Sequence, residues 1–139
     1  MWATEIDTTV LSRLRSRGYA DLKKKYPNIN FTDDDRAPTG PKFPTVYYIN
    51  ISSAERGQTL DGKSMNALLH SVQIEVSDNG TPVANKPQNY ATKEVMSKIC
   101  DYMKDTGYEI VNMPFFQNTD TVFRMVARFR RTIGANDVI

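Results

Sequence analysis

The sequence predicts an α+β fold, in which two helices pack on one face of a mainly antiparallel sheet of about four strands. Two periodic patterns indicate this arrangement. In residues 91–106, apolar side chains recur every three or four positions, which is typical of an amphipathic helix. In residues 121–131, apolar and polar side chains alternate, which is typical of a strand buried on one face. Helices laid on one face of such a sheet bury both patterns.

Chain length and local composition predict the order of the elements. At 139 residues the chain has room for one hydrophobic core, so we expect a single domain over residues 1–139. The regular elements are predicted, in chain order, as a helix over 4–25, strands over 45–51 and 71–77, a helix over 91–106, and a hairpin of strands over 108–113 and 121–131. The sheet and the central helix therefore occupy residues 43–133.

Three segments are expected to lack regular structure. Residues 26–44 are rich in proline, which removes backbone donors and favours turns. Residues 52–70 are polar and contain glycines, so we expect a long loop between the first two strands, whose end over residues 63–69 could form a short helix or extend the second strand. Loops of that length are usually functional or ordered by a partner. Residues 134–139 are expected to form a mobile tail.

Composition and charge exclude several classes of protein. Hydrophobic residues at 40% and charged residues at 24% are ordinary for a globular domain. The net charge of +2 is too small to indicate a polyanion partner by itself. Cys100 is the only cysteine, which excludes an internal disulfide and a multi-cysteine zinc site. The sequence also lacks an apolar run long enough for a membrane span and a secretory signal, so we expect no membrane partner.

A search for catalytic residues finds no motif. His70 is the only histidine, and neither a carboxylate nor a second histidine lies near it in sequence. We therefore expect a surface or interface position for His70. The glycines form no phosphate loop and no nucleophile elbow. The sequence thus predicts no catalytic residue, no metal site and no cofactor, and the protein is not expected to be an enzyme.

The strand over 121–131 carries arginines on the face opposite its phenylalanines. Because the helices must cover the phenylalanine face, we expect the arginine face to stay open. One interpretation is pairing with polar groups of a neighbouring strand, within or between subunits, with Arg128 and Glu75 as the expected pair. The other is phosphate contact, with Tyr47 or Tyr48 as aromatic platforms. The candidate residues for contacts between subunits are Arg124, Arg128, Arg130, Glu75 and Gln73.

Two predicted loops are candidates for contacts with other partners. The proline-rich segment contains a compact acidic run, and the polar segment after the first strand carries basic residues. The candidate contact residues are Asp33, Asp34, Asp35, Arg56 and Lys63. A calcium site is not expected at the acidic run, because the longer alternation of oxygen ligands with a glycine turn is absent.

The order of these elements resembles that of a known family. The segments FPTVYYINIS and SVQIEVSD are separated by a polar stretch and followed by the helix ATKEVMSKICDYMKDTGY and a strand ending in DTVFRMVARFRRTI. This layout is similar to that of the tail terminator, or tail completion, proteins of long-tailed bacteriophages and related neck proteins. The resemblance covers residues 43–133, and the stretch over 30–44 is longer than the family pattern.

The resemblance implies a structural role in the virion. Such proteins form a homo-oligomeric ring, commonly a hexamer, that caps the tail tube and ends its polymerisation. The ring then offers a docking surface to the head-side connector or stopper protein, and nucleic acid meets it only by passing through the ring. The implied location is the tail or neck of the virion, and the host cytoplasm during assembly.

Two alternatives stay open. In the same class, the chain could be another head-tail neck component or a tail tube subunit. In a different class, it could be a small nucleic-acid-binding domain that uses the Arg124, Arg128 and Arg130 strand.

Overall fold

The α+β class is confirmed in the computed structural model, which describes residues 2–34, 42–58, 65–137 and 139. A short 3-10 helix over Trp2–Glu5 leads into the first α-helix. The elements that follow are α1 (Ile6–Leu22), β1 (Asn30–Thr32), β2 (Thr45–Gln58), β3 (Met65–Asp78), α2 (Tyr90–Asp105), β4 (Glu109–Phe116) and β5 (Phe123–Gly134). In these residues, neither helix has the length and apolar character needed to cross a membrane.

The sheet has five strands in the order β1-β2-β3-β5-β4, and it is mixed rather than wholly antiparallel. The strand missing from the prediction is β1, which lies in the segment expected to be loop and pairs in parallel with β2. At three residues it is too short to show an alternating pattern. Phe31 fixes it in place, since this side chain is 2% exposed and packs against α1.

The prediction of a long loop between the first two strands is wrong for the described residues. Strand β2 continues to Gln58 and β3 begins at Met65, so most of this segment forms the end of a β-hairpin. Only residues 59–64 between the two strands are outside the description. On the β2 side the sequence hid this extension because residues 52–58 are mostly polar, whereas their pairing is made by the backbone. A register shift between Asn50 and Ser52 also breaks the alternation there. On the β3 side, Leu68 is buried in phase with His70 and Val72.

One face of the sheet carries the core. Ile74 on β3 and Phe129 on β5 are fully buried, as are Val95, Ile99 and Met103 on α2. Residues of both helices join a single core cluster with alternate residues of β2, β3 and β5. Burying each such side chain stabilises the fold by about 1.5–3 kcal/mol. The predicted contact between the stripe of α2 and the phenylalanine face of β5 is therefore confirmed.

Helix α1 runs unbroken through Gly18 and ends at Leu22, not at Lys25 as its predicted range implied. Gly18 lies where the helix crosses Phe31. A Cβ atom at position 18 would lie 2.1 Å from Phe31 Cζ, so only glycine leaves room for the ring. This close approach holds β1 against the helix.

Gly134 belongs to β5, so the C-terminal tail begins one residue later than predicted. Ala135 N donates to Asn66 O at 3.0 Å, and Ile139 packs against the core. The mobility of the tail stays a prediction.

Candidate interaction surfaces

Three of the four arginines of β5, Arg124, Arg128 and Arg130, lie on the side of the sheet opposite the helices, which we call the open face. Along β5, Arg124, Arg128 and Arg130 stand opposite Ser77, Gln73 and Ser71 of β3. The residues that alternate with them, Met125, Ala127 and Phe129, join or pack against the core on the other side. The alternation in the sequence therefore placed the arginines on the correct face.

The arginines pair differently from the sequence-based expectation. Arg124 Nη2 donates to Glu75 Oε1 at 2.5 Å, and Gln73 Nε2 donates to the same oxygen at 2.8 Å. Arg128 Nε donates to Gln73 Oε1 at 2.9 Å. Since Glu75 stands opposite Val126, Arg124 and Arg128 are its two diagonal neighbours. Gln73 stands directly opposite Arg128 and accepts a hydrogen bond from its guanidinium, so Glu75 pairs with Arg124 instead.

The charge of this arginine row is only partly neutralised. Arg130 Nε lies 3.1 Å from Glu109 Oε2, but these side chains are 47% and 63% exposed, so the ion pair stabilises little. Arg128 is exposed, and within the described residues its only hydrogen-bond partner is an amide oxygen. The open face therefore keeps a positive charge at Arg128.

An apolar strip lies along β4, the outermost strand beside the arginine row. Its residues are Val111, Met113 and Phe115, which are 46%, 70% and 42% exposed. Phe115 stands opposite Val126, which places it on the open face. The predicted strand contained Val111 and Met113 but ended at residue 113, before Pro114, whereas β4 continues to Phe116 and includes Phe115. Contiguous exposed apolar side chains with a polar rim mark protein interaction sites.

Backbone pairing along the free edge of β4 is hindered. Register shifts occur on both sides of Asn112, and Pro114 has no N–H to donate. Both features are typical of edge strands that do not accept a further strand. Contacts at this edge are therefore expected to use the side chains of the apolar strip.

The residues predicted to contact partners through loops are placed in different settings. Asp33 and Asp34 are exposed and directly follow β1. Arg56 is exposed but lies within β2, so its assignment to a loop is wrong. Asp35 and Lys63 lie outside the described residues.

His70 is buried, and the expectation of a surface position is wrong. Its side chain is 1% exposed, with Nε2 2.7 Å from Asp7 Oδ1 and Nδ1 2.6 Å from the Tyr108 hydroxyl. Asp7 is 63 residues away in sequence, so no local spacing could reveal the pair. Its burial had a signal, because His70 alternates in phase with Val72 and Ile74 on β3.

Asp7, whose side chain is 37% exposed, is the centre of the hydrogen-bond network around His70. Besides His70, it accepts a hydrogen bond from the Tyr48 hydroxyl at 2.6 Å and from Asn50 Nδ2 at 2.8 Å. Burial alone would raise the pKa of Asp7, but the hydrogen bonds from His70, Tyr48 and Asn50 outweigh it and lower the pKa to about 2.

The chemistry open to this network is limited because His70, Tyr48 and Tyr108 are buried. None of the network residues lines any of the three cavities described in the structure. Both ring nitrogens of His70 are engaged within the chain. We interpret the network as a structural one, whose hydrogen bonds link α1 to β2, β3 and the residue before β4.

The other candidates for chemistry are also accounted for. In the described part of the chain, no three histidine, cysteine or acidic side chains come together in a group that could hold a metal ion. Cys100 is partly buried, and burial raises the pKa of its thiol to about 11, which disfavours the reactive thiolate. The exposed features of the open face are thus the candidates for function.

Comparisons with known proteins leave the family undetermined. A scan of the sequence against protein-family models finds no match, and a search of curated proteins finds no significant match. The function must therefore be argued from the surfaces themselves.

Proposed function

We propose that this chain is a structural protein of a phage tail that assembles into a ring on the end of the tail tube. In this role it ends polymerisation of the tube and offers a docking surface to the head-side connector or stopper protein. Its partners are then further copies of itself, commonly six in all, the tail tube protein and the connector. Nucleic acid meets the protein only by passing through the ring.

The observation that carries this proposal is the composition of the open face. The apolar strip is exposed on β4, the outermost strand beside the arginine row, and its Phe115 lies on the surface that the helices of the same chain leave uncovered. Apolar residues next to arginines are typical of protein–protein interfaces. The layout of elements that resembles tail terminators adds support from the sequence.

The geometry of a ring sets a further requirement. Subunits that join through two different patches form a closed ring when the rotation between them closes, and an open filament when it does not. A tail tube subunit would grow without limit, whereas a terminator would stop at a fixed number of copies. A mass that reaches a plateau with rising concentration therefore separates the proposed role from that of a tube subunit.

The test is the mass of the purified protein in solution, measured by sedimentation over a range of concentrations and again with assembled tail tubes. We expect closed rings, either free or on tube ends seen by electron microscopy. Met113→Asp should raise the concentration at which rings dissociate by at least about tenfold, because a charge then enters an apolar contact. Thr8→Asp, at an exposed site on α1, is the matched control. A protein that stays monomeric and neither attaches to tube ends nor stops their growth would overturn the proposal.

One observation favours a second candidate, a small nucleic-acid-binding domain. Arg128 keeps an exposed guanidinium, and Arg124 and Arg130 lie in the same row. Binding of single-stranded DNA or RNA that weakens with salt, and is lost in Arg128→Ala with Arg130→Ala, would support it. The ring proposal expects no such binding.

A further inference from the structure

A second charged surface lies on the helix side of the molecule. A cavity of about 610 Å³ opens between α1, the end of α2 and β5. Its polar lining includes Ser12, Arg13, Ser16, Arg17, Asp105 and Arg131. We call this site the arginine pocket, and among the described residues that line it Asp105 is the one acidic side chain.

The guanidinium groups of the pocket differ in how many hydrogen bonds and ion pairs they make within the chain. Arg131 Nη1 donates to the Thr106 carbonyl oxygen at 2.6 Å, and Arg17 Nη2 lies 2.9 Å from Asp105 Oδ2. Arg17 and Asp105 are 43% and 63% exposed, so this pair exchanges easily with other partners. Arg13 is exposed and has no hydrogen bond or ion pair to any described residue. The pocket therefore has donors and positive charge available for an anionic group.

The acidic run lies on the other flank of α1. Arg15 Nη2 donates to the Phe31 carbonyl oxygen at 3.1 Å, so Arg15 faces β1. Arg13 and Arg17 are each two residues from Arg15, which is about 200° around the helix axis. The pocket thus faces away from β1, and the exposed carboxylates that follow β1, Asp33 and Asp34, lie on the far side of α1 from it.

We propose that the arginine pocket of one subunit receives the acidic residues Asp33 and Asp34 of a second copy of this chain. Guanidinium and carboxylate groups form short, charge-assisted and often bidentate hydrogen bonds. Because the two patches lie on opposite flanks of α1, the contact is head to tail, which is the kind that closes into a ring. This inference rests on the proposed function for the ring itself and identifies one of the contacts that builds it.

The test uses charge reversal of the full chain, with mass in solution measured by sedimentation. Arg13→Glu with Arg17→Glu, or Asp33→Lys with Asp34→Lys, should each raise the concentration at which rings dissociate by at least about tenfold. The chain that carries all four substitutions restores opposite charges across the contact and should reassemble. Lys24→Glu with Lys86→Glu, at exposed sites outside both patches, is the control for net charge and should leave the mass unchanged.

Circular dichroism separates lost assembly from lost folding, and Arg13→Glu alone is the safeguard variant because its side chain is exposed and has no described partner. Rings that persist in both reversal variants, or that fail to return in the fourfold variant, would overturn this inference and leave the proposed function standing. A wild-type chain that forms no ring, alone or on tubes, would instead overturn the proposed function.

Discussion

The two faces of the sheet use alternate residues of the same strands for different purposes. On β5, Phe129 is fully buried under the helices, while its neighbours Arg128 and Arg130 are exposed on the open face. The covered face is held by apolar contacts, whereas the open face is held by hydrogen bonds among Arg124, Arg128, Gln73 and Glu75. Stability is therefore expected to depend on one face and association on the other.

The largest effect is expected from the covered face. Phe129→Ala removes a fully buried ring from the core, and we expect a loss of about 3–5 kcal/mol in the free energy of unfolding. Urea denaturation followed by circular dichroism measures it. A loss below 1 kcal/mol, on the order of a surface substitution, would contradict the position of Phe129 in the core.

A smaller loss is expected where α1 crosses β1. Gly18→Ala should destabilise the protein by about 1–3 kcal/mol, because the added methyl group overlaps the ring of Phe31. In an exposed helix interior the same change would stabilise the protein by about 1 kcal/mol. The sign of the measured change therefore shows whether the Phe31 ring leaves room for a methyl group at position 18. Gly18→Ala with Phe31→Leu removes part of the overlap and should recover part of the loss.

The hydrogen-bond network around Asp7 predicts that the stability of the protein falls at acid pH. The pKa of Asp7 is lowered from 3.8, its ordinary value in the unfolded chain, to about 2 in the folded protein. The carboxylate therefore contributes stability above pH 3.8 and loses that contribution as the pH falls toward 2. Asp7→Asn should lower stability near neutral pH by about 1 kcal/mol, toward the low end for a charged hydrogen bond because the Asp7 side chain is 37% exposed to water.

Thermal unfolding of the wild type and Asp7→Asn between pH 2 and 6, a range set by that lowered pKa, measures this effect. The difference between the two proteins should shrink as the pH approaches 2. A difference that stays constant across this range would show that Asp7 titrates normally in the folded state.

The smallest effect on stability is expected from the open face. Arg128→Ala should change the free energy of unfolding by less than about 0.5 kcal/mol, since its side chain is exposed and bonded to one amide. It is the matched control for Phe129→Ala, because the two residues are adjacent on β5. A large loss of stability in Arg128→Ala would mean that the open face is part of the folding core.

The sequence predicted the features that depend on local periodicity. The stripe of α2 and the alternation on β5 each specify one buried face, so the helix-on-sheet layer and the exposed arginines followed from them. Partner choice did not follow, because the pairing of Arg124 rather than Arg128 with Glu75 depends on strand register. Register is a property of two strands together, and neither strand encodes it alone.

Features that depend on distant contacts were missed. Strand β1 is held by Phe31 against Gly18, and the buried histidine is held by Asp7 from the other end of the core. The end of the β2–β3 hairpin was missed for another reason, since the mostly polar residues 52–58 of β2 pair through their backbone and leave no apolar pattern. Phe115 was left out of the predicted strand because that strand ended at residue 113, before Pro114.

The irregular edge of β4 has a consequence for how the protein behaves when it is abundant. A long, regular outer strand can recruit identical strands and grow into cross-β fibrils, which is a hazard for any protein that accumulates before use. The proline and the two interruptions in pairing disfavour that route at β4. The protein can then reach a high concentration with the apolar strip exposed, without β4 starting fibril growth.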